Sequence, residues 1–501
     1  MSMDIPRVFY RFRPISRLLG QPATPGKFSE DGTCLEPARQ AILGELEEGY
    51  IFASCPEDLN DPFEGYTKLY WAGDEIVWAN LFKHYIYALG THQIERMGGV
   101  EHQPIPIVLS RAPEFLVRVY EEVSELILAN NRLQAHIREL SYKERKVTKE
   151  ELHCQFVAMH SFITDRLFFV FAKHRIVPEY KSIIQGEEFQ FSETLLELQK
   201  YNNKYNQSSD EVELKFVLIA QKYKNELFKR SIVEKRSGNQ CSQLIDFPSL
   251  YVEQLPNLTH SPWYVACFMS SCKNSAIWGS YGDNHKGACL IFDTIPNDDN
   301  EPCLMLTVPW DKPDGLGSRK WRAKFQKVEY KNEPVELNFF ETLYHLTRSE
   351  LDYNWLTDRN KRISTASRGY GSNSTRDKYW DDLDVRLTRK WKDWAEEYEY
   401  RIVYNPSLPD ASSPTYRKLK YEFSALKGIC FGAKTSFEDI YQIINMIILL
   451  CEKHNKSEFY FHQVYHNPLT NTLEFLLLAT LAELKNIEIS INKKQRHYPD
   501  K

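Results

Sequence analysis

The chain of 501 residues carries 63 basic and 68 acidic side chains, for a net charge of −5, so no global positive field draws it to nucleic acid or anionic lipid. Its 42% hydrophobic and 13% aromatic content supplies apolar material for more than one core. Ten scattered cysteines form no Cys-x-x-Cys pair and read as reduced thiols of a cytoplasmic protein. Met1 to Pro14 lack the apolar core of a signal peptide, and the apolar run Ile440 to Cys451 is too short for a membrane span.

Val8, Tyr10 and Phe12 alternate with Arg11 and Arg13, the period of a half-buried strand that Pro14 ends. A loop rich in Gly and Pro follows. Ala38 to Glu48 reads as a helix closed by Gly49, and Tyr50 to Ser54 as a short strand before the turn-rich Asn60-Asp61-Pro62-Phe63-Glu64. From Leu69 to Glu253 helical patterns dominate. Leu116, Val119, Tyr120, Val123 and Ile127 share one helix face; Thr148 and Glu151 have capping-box spacing ahead of Leu152, Phe156, Met159, Ile163, Leu167 and Val170. Strand patterns return at Trp263 to Met269, Ala288 to Phe292, Tyr398 to Tyr404, Gly428 to Gly432 and Phe459 to Val464. Ser436 caps a helix with Ile440, Ile443, Ile444 and Ile447 inward, Leu473 to Leu484 reads as a further helix, and Ser364 to Arg376 as a polar, flexible stretch. Strands split around a helical block give an α+β class. The expected divisions are 1–68, a helical insertion at 69–253, and 254–501 with a C-terminal strand and helix.

No dinucleotide fingerprint, phosphate loop, zinc helix or serine elbow occurs, and no metal site is expected. Three features remain. Tyr10-Arg11-Phe12-Arg13 puts two cations on one strand face, which also fits a solvated edge. Trp278-x-x-Tyr281 leads into a loop ending at Gly287, where His285 can meet a phosphate or shuttle a proton, or simply belong to a turn. In Glu397-Tyr398-Glu399-Tyr400-Arg401-Ile402-Val403-Tyr404 the tyrosines face one side, and Glu397, Glu399 and Arg401 the other. That set also fits a charged outer face with Glu399 paired to an arginine of the first strand.

Taken in order, these motifs resemble the bacterial family known as domain of unknown function 2971. The matching residues are Tyr10-Arg11-Phe12-Arg13, Gly49-Tyr50-Ile51-Phe52, Asn60 to Glu64, Cys267-Phe268, Trp278 to Gly287, Val328-Glu-Tyr330, Lys390, Trp394, Glu397 to Arg401 and Gly432. The Glu-x-Glu strand is also similar to the catalytic-glutamate strand of ADP-ribosyltransferases. That second resemblance implies split, mostly antiparallel sheets around a cleft holding NAD as substrate. Glu399 would be the catalytic carboxylate beside an oxocarbenium-like ribose, and Glu397 would orient the acceptor. Arg11 or Arg13 would hold the pyrophosphate or ribose, with Tyr281 and His285 at the cofactor. The acceptor would be protein or nucleic acid, and the protein a toxin or phage-defence effector.

Two other classes stay open. One is a non-catalytic binding or sensing module, with a protein partner or self-association through the helical insertion. The other is a nucleic-acid-processing enzyme using Arg386, Arg389, Lys390 and Lys392 near Trp391 and Trp394.

Overall fold

Val8–Arg13 extends as the alternation predicts and becomes strand β1. Its neighbours are supplied by residues more than 250 positions away, and the computed structural model shows how. It describes residues 6–21, 27–28, 34–36, 42–61, 67–99, 105, 107, 112–180, 210–233, 238–260, 262–298, 300–312, 315–344, 346–370, 373–406 and 413–487. Two units emerge, one of Met1–Gly65, Pro262–Glu333 and Val385–Lys501, the other of Tyr66–Ser261 and Pro334–Asp384.

In the first unit, β1 is followed by β2 (Tyr50–Phe52), β3 (Tyr264–Met269), β4 (Ala288–Asp293), β5 (Pro302–Lys312), β6 (Gly315–Lys324) and β7 (Gln326–Lys327). Then come β8 (Glu399–Tyr404), β9 (Lys418–Tyr421), β10 (Leu426–Phe431), β11 (Tyr460–Asn467) and β12 (Thr472–Thr480). An open eight-stranded sheet runs β7-β8-β3-β1-β4-β10-β11-β12, antiparallel except at the β10–β11 pair. An open five-stranded sheet joins β6, β5, β9 and β2, with Ile295–Pro296 also on β5. The two sheets share a core. Phe9, Phe268, Leu290 and Phe292 meet Leu304, Leu306, Leu419 and Ile51, and the helix Phe437–Lys453 adds Ile440, Ile443 and Ile447. Phe9 stacks on Phe325 at 4.0 Å between ring centroids. Ser436 caps that helix by accepting from Asp439 N.

Two sequence expectations are corrected here. Leu473 to Leu484 is not one helix: Thr472–Thr480 pairs with β11 as a hairpin strand, and helix begins only at residue 481. A run of consecutive apolar residues carries no period, and the preceding turn at Pro468–Asn471 decides for a strand. Of the helix expected at Ala38 to Glu48, the described residues are helical only at Glu45–Glu48. Ile42–Leu43 pairs instead with Gly20–Gln21, and residues 37–41 lie outside the described residues. Pro62, Phe63 and Glu64 also lie outside them. The stretch at Ser364 to Arg376 contains the turn Thr365–Tyr370 and enters the helix Asn373–Leu387.

The second unit is built on helices α1 (Glu75–Met97), α2 (Glu114–Leu128), α3 (Asn131–Leu140), α4 (Lys149–Lys173), α5 (Asp210–Val233) and α6 (Gly238–Gln254). The stripe Val119, Tyr120, Val123 and Ile127 is buried as its spacing predicts. Thr148 caps α4, and Glu151 accepts a two-pronged bond from Arg145 at 2.9 and 2.6 Å. Asp74 caps α1 and also accepts from Ser364 and Thr365, and Val335–Asn338 pairs with Thr67–Tyr70. These contacts draw 334–384 into this unit.

Between the helix Ser275–Ser280 and β4, three consecutive non-glycine residues, Asp283, Asn284 and His285, are left-handed, with φ of 50°, 52° and 70°. Such a turn is costly for L residues. It is held by His285 N to Trp278 O at 3.0 Å and by Lys434 N to His285 O at 2.9 Å. A Cβ on Gly432 would collide with the His285 carbonyl. Gly432→Ala should therefore destabilise this unit by about 1–3 kcal/mol, read as a lower urea midpoint. An unchanged midpoint would show that the turn yields freely.

Candidate functional site

β8 turns Tyr400, Ile402 and Tyr404 into the inter-sheet core and sends Glu399 and Arg401 to the other face of the eight-stranded sheet. The strand begins later than its pattern predicts. Tyr398 is left-handed, with φ 48° and an exposed ring, so Glu397 ends the turn Lys392–Glu397 and is not on the strand. The two carboxylates still meet, through Lys390. Its Nζ lies 2.6 Å from Glu397 Oε2, 3.1 Å from Glu399 Oε2 and 4.8 Å from the centre of the Trp394 ring. Arg401 Nε donates to Glu399 Oε1 at 2.8 Å, and its Nη1 to Leu387 O at 2.9 Å. The Glu399 backbone N–H donates to Tyr330 Oη at 2.8 Å. Lys390 is placed by the parallel pairing of Arg389–Lys390 with Glu329–Tyr330, and by Trp391 N–H donating to the buried Asp61 carboxylate at 3.1 Å. All four charged groups are at most 6% exposed. Two positive and two negative charges cancel, which is what makes the burial tolerable.

Their electrostatics diverge. Burial pushes the Glu399 carboxyl up, but Arg401 and Lys390 outweigh it and hold it down at about 2. For Glu397 burial wins over Lys390, and its carboxyl is raised. Burial opposes the charge on Lys390, yet Glu399 and Glu397 raise its value above that of a free lysine. Glu399 also faces Cys267, whose thiol is pushed up by burial and then by that carboxylate.

Tyr281 links this cluster to a cavity. Its hydroxyl donates to Glu397 Oε1 at 2.8 Å and stands 3.4 Å from Lys390 Nζ. The cavity, of about 170 Å³, is lined by Tyr281 with Arg11, Arg13, Asn60, Cys267 and Met269 among others. It lies where β1 and β3 part, since Tyr10↔Met269 is their one registered pair among the described residues. Arg11 spans the opening: Nη1 donates to Cys267 O at 3.1 Å and Nη2 to Phe52 O at 2.8 Å, with the guanidinium over Phe268. Burial, then Arg13, lower the Arg11 value to about 10. Arg13 is ion-paired to the buried Glu45 on the helix Glu45–Glu48.

The structure thus brings Arg11, Arg13 and Tyr281 to one cavity and ties Glu397 to it through Tyr281. Glu399 lies behind, on the face of the sheet opposite Arg11, because Tyr10, Met269 and Glu399 form one cross-strand row. His285 is not among the cavity's lining residues; burial and Lys434 lower its value. The first strand is not a solvated edge: β1 lies inside the sheet, and Arg11 is 4% exposed. Nor does Glu399 pair with a first-strand arginine; its partners are Arg401 and Lys390. Of the basic stretch, Arg386 and Lys390 are buried, and Arg389 binds Glu333 O. Sequence reasoning missed Glu45, Asp61 and the inward turn of Arg401; each is a charged residue whose default reading is solvent.

The second unit holds a larger cavity of about 990 Å³ between α1, α2, α3 and 349–362. Lys83 Nζ lies in its wall, 3.8 Å from Glu121 and over the rings of Tyr87 and Tyr353. Burial lowers its value against the pull of Glu121. Among the described residues no group of three His, Cys, Asp or Glu side chains could hold a metal, and no helix is long and apolar enough to cross a membrane.

Residues 277–402 match the family described as Protein of unknown function (DUF2971). The match runs from the helix before the left-handed turn into β8 and takes in Tyr281, His285, Lys390, Glu397, Glu399 and Arg401. No curated protein and no solved structure matches the chain.

Two predictions test the cluster. Lys390→Met leaves two carboxylates buried without their shared cation and should cost about 3–5 kcal/mol, with part recovered by adding Glu397→Gln; equal midpoints for wild type and Lys390→Met in urea would refute the pairing. Because the Glu399 value is depressed on folding, its stabilisation is complete above the ordinary carboxylate value and is lost as pH falls through about 2. That contribution is worth up to about 3 kcal/mol. Urea titrations between pH 6 and pH 3 should therefore show a steeper loss for wild type than for Glu399→Gln.

Proposed function

We propose that the first unit is an ADP-ribosyltransferase-like enzyme that takes NAD at the opening between β1 and β3 and passes ADP-ribose to a protein or nucleic-acid acceptor. The observation that carries this reading is the convergence of Arg11, Arg13 and Tyr281 on one cavity, with Glu397 bonded to Tyr281. Arginines suit a pyrophosphate, and an aromatic ring suits the nicotinamide face. The carboxylate that best fits the reacting ribose is Glu397. Glu399 already has its charge matched by Lys390 and Arg401, so it has little left to offer a developing oxocarbenium ion. In this reading Glu399 positions Lys390, which in turn holds and aims Glu397. At about 170 Å³ the cavity is below the size of pockets that enclose small ligands, so NAD entry has to widen the gap between β1 and β3.

A second reading draws on the cavity of about 990 Å³ in the helical unit, with Lys83 in its wall. It favours a binding or sensing module, in which the charge cluster of the first unit is purely structural.

Calorimetry with NAD separates the two. The transferase reading expects binding to wild type, weakened about tenfold or more in Tyr281→Phe or Glu397→Gln, since a lost hydrogen bond to a charged group is worth roughly 1.5–3 kcal/mol. No heat from folded wild type at about millimolar NAD, the weak end of measurable affinity, would remove the transferase reading and leave the module.

A further inference from the structure

The accessible concentration of positive charge lies elsewhere than the basic stretch read from the sequence. Strands β6 and β9 carry Arg319, Lys320, Arg322, Lys324, Lys418 and Lys420 and no acidic residue, in a chain whose net charge is −5. The register sorts these side chains. Leu304, Leu306, Val308, Ala323 and Leu419 face the inter-sheet core. Lys320 and Arg322 alternate with Ala323 on β6, and Lys420 adjoins Leu419 on β9, so all three take the outer face. Lys320 is opposite Thr307, Thr307 opposite Lys420, and Lys420 opposite Tyr50, which makes a single row across four strands. Lys320 is 70% exposed and Arg322 53%. Cations along β6 repeat about every 7 Å, and Lys320 and Lys420 stand about 10 Å apart across the intervening strand.

We propose that this outer face of the five-stranded sheet binds the sugar–phosphate backbone of a nucleic acid strand. Evenly spaced cations of one sign, on a sheet with no acidic residue in β6 or β9, complement a polymer of evenly spaced phosphates. Within the row on this face the aromatic member, Tyr50, is itself buried. The acids that touch it come from its rim: Glu422 on Lys320 at 2.7 Å, Asp298 on Arg322 at 3.2 Å and Glu48 on Lys418 at 2.7 Å. Exposed pairs of this kind are weak, and phosphates can displace them. The contact is to backbone, so it carries no sequence preference. The proposal stands apart from the NAD reading, since none of these residues lines the cavity between β1 and β3.

The test is fluorescence anisotropy of a labelled oligothymidylate with the full chain, between about 50 and 200 mM salt. Wild type should bind with an affinity that falls linearly with salt on logarithmic axes. Lys320→Glu/Arg322→Glu/Lys420→Glu should weaken binding at least tenfold and lower the slope by about 2, near 0.7 for each phosphate left without its cation. The milder Lys320→Gln/Arg322→Gln/Lys420→Gln should fall between, and Lys222→Glu/Lys453→Glu, on other surfaces, should bind as wild type. Circular dichroism establishes that each variant is folded. No binding by wild type at about 100 μM, the weak limit of non-specific association, would overturn the proposal. So would equal binding by wild type and the triple glutamate variant, or binding to phosphatidylserine vesicles without binding to the oligonucleotide.

Discussion

Four charged groups, Lys390, Arg401, Glu397 and Glu399, are removed from water on one face of a sheet, and none of them can be buried without the others. Placing an ion in a protein interior costs several kcal/mol even after relaxation, and only close, well-directed partners return that cost. Here Lys390 satisfies both carboxylates, and Arg401 fixes the deeper one from its own strand. The surrounding backbone serves this arrangement. The left-handed Tyr398 separates Glu397 from the strand so that both carboxylates reach one ammonium. The Arg389–Lys390 and Glu329–Tyr330 pairing sets the height of Lys390 and brings the Tyr330 hydroxyl to the Glu399 amide.

A further buried cation, Arg11, stands where the eight-stranded sheet opens. Among the described residues β1 and β3 share one registered pair, and the carbonyls of Cys267 and Phe52 are met by the Arg11 guanidinium, not by a neighbouring strand. A side chain that replaces ladder bonds holds two strands apart while keeping their polar groups satisfied. The gap it leaves is bounded on one side by Arg11 and Arg13 and on the other by Tyr281. The charge cluster on one face and the opening in the sheet are joined by the Tyr281–Glu397 bond.

Much of this was legible from residue patterns, and the parts that were not have definite physical causes. The alternation in Val8–Arg13 gave the strand and its two faces, but a cation reads as solvent-facing by default. Only tertiary pairing reveals that Arg11 points inward at carbonyls and that Arg13 meets Glu45. The alternation around Glu399 gave the apolar face correctly. Its start was displaced because a tyrosine in left-handed conformation leaves no sequence signal, as a glycine would. The helix over Phe437–Lys453 and its cap were readable because a 3.6-residue period and a serine cap agree. The strand Thr472–Thr480 was not, because unbroken leucines fit both periods. The long hairpin of β5 and β6 escaped notice for a related reason: on β6 Lys320 and Arg322 alternate with Arg319, Trp321 and Ala323, so cations occur at both phases and the two-residue period is blurred.

Under the proposed transferase reading, the part each carboxylate plays follows from where its charge is already spent. A carboxylate neutralised by two cations is a fixed part of the frame, whereas one whose value is raised by burial, and whose second oxygen is bonded to a tyrosine at a cavity wall, can exchange that bond. A ligand hydroxyl entering the cavity could take the place of the Tyr281 hydroxyl on Glu397 without breaking the Lys390 bridge, so the exchange leaves the ion network intact. Reaching Glu399 instead would require parting it from Lys390 and Arg401 together, and the charge left unpaired would raise the energy of the whole sheet face. The order in which these bonds can be given up makes Glu397 the responsive carboxylate and Glu399 the rigid one.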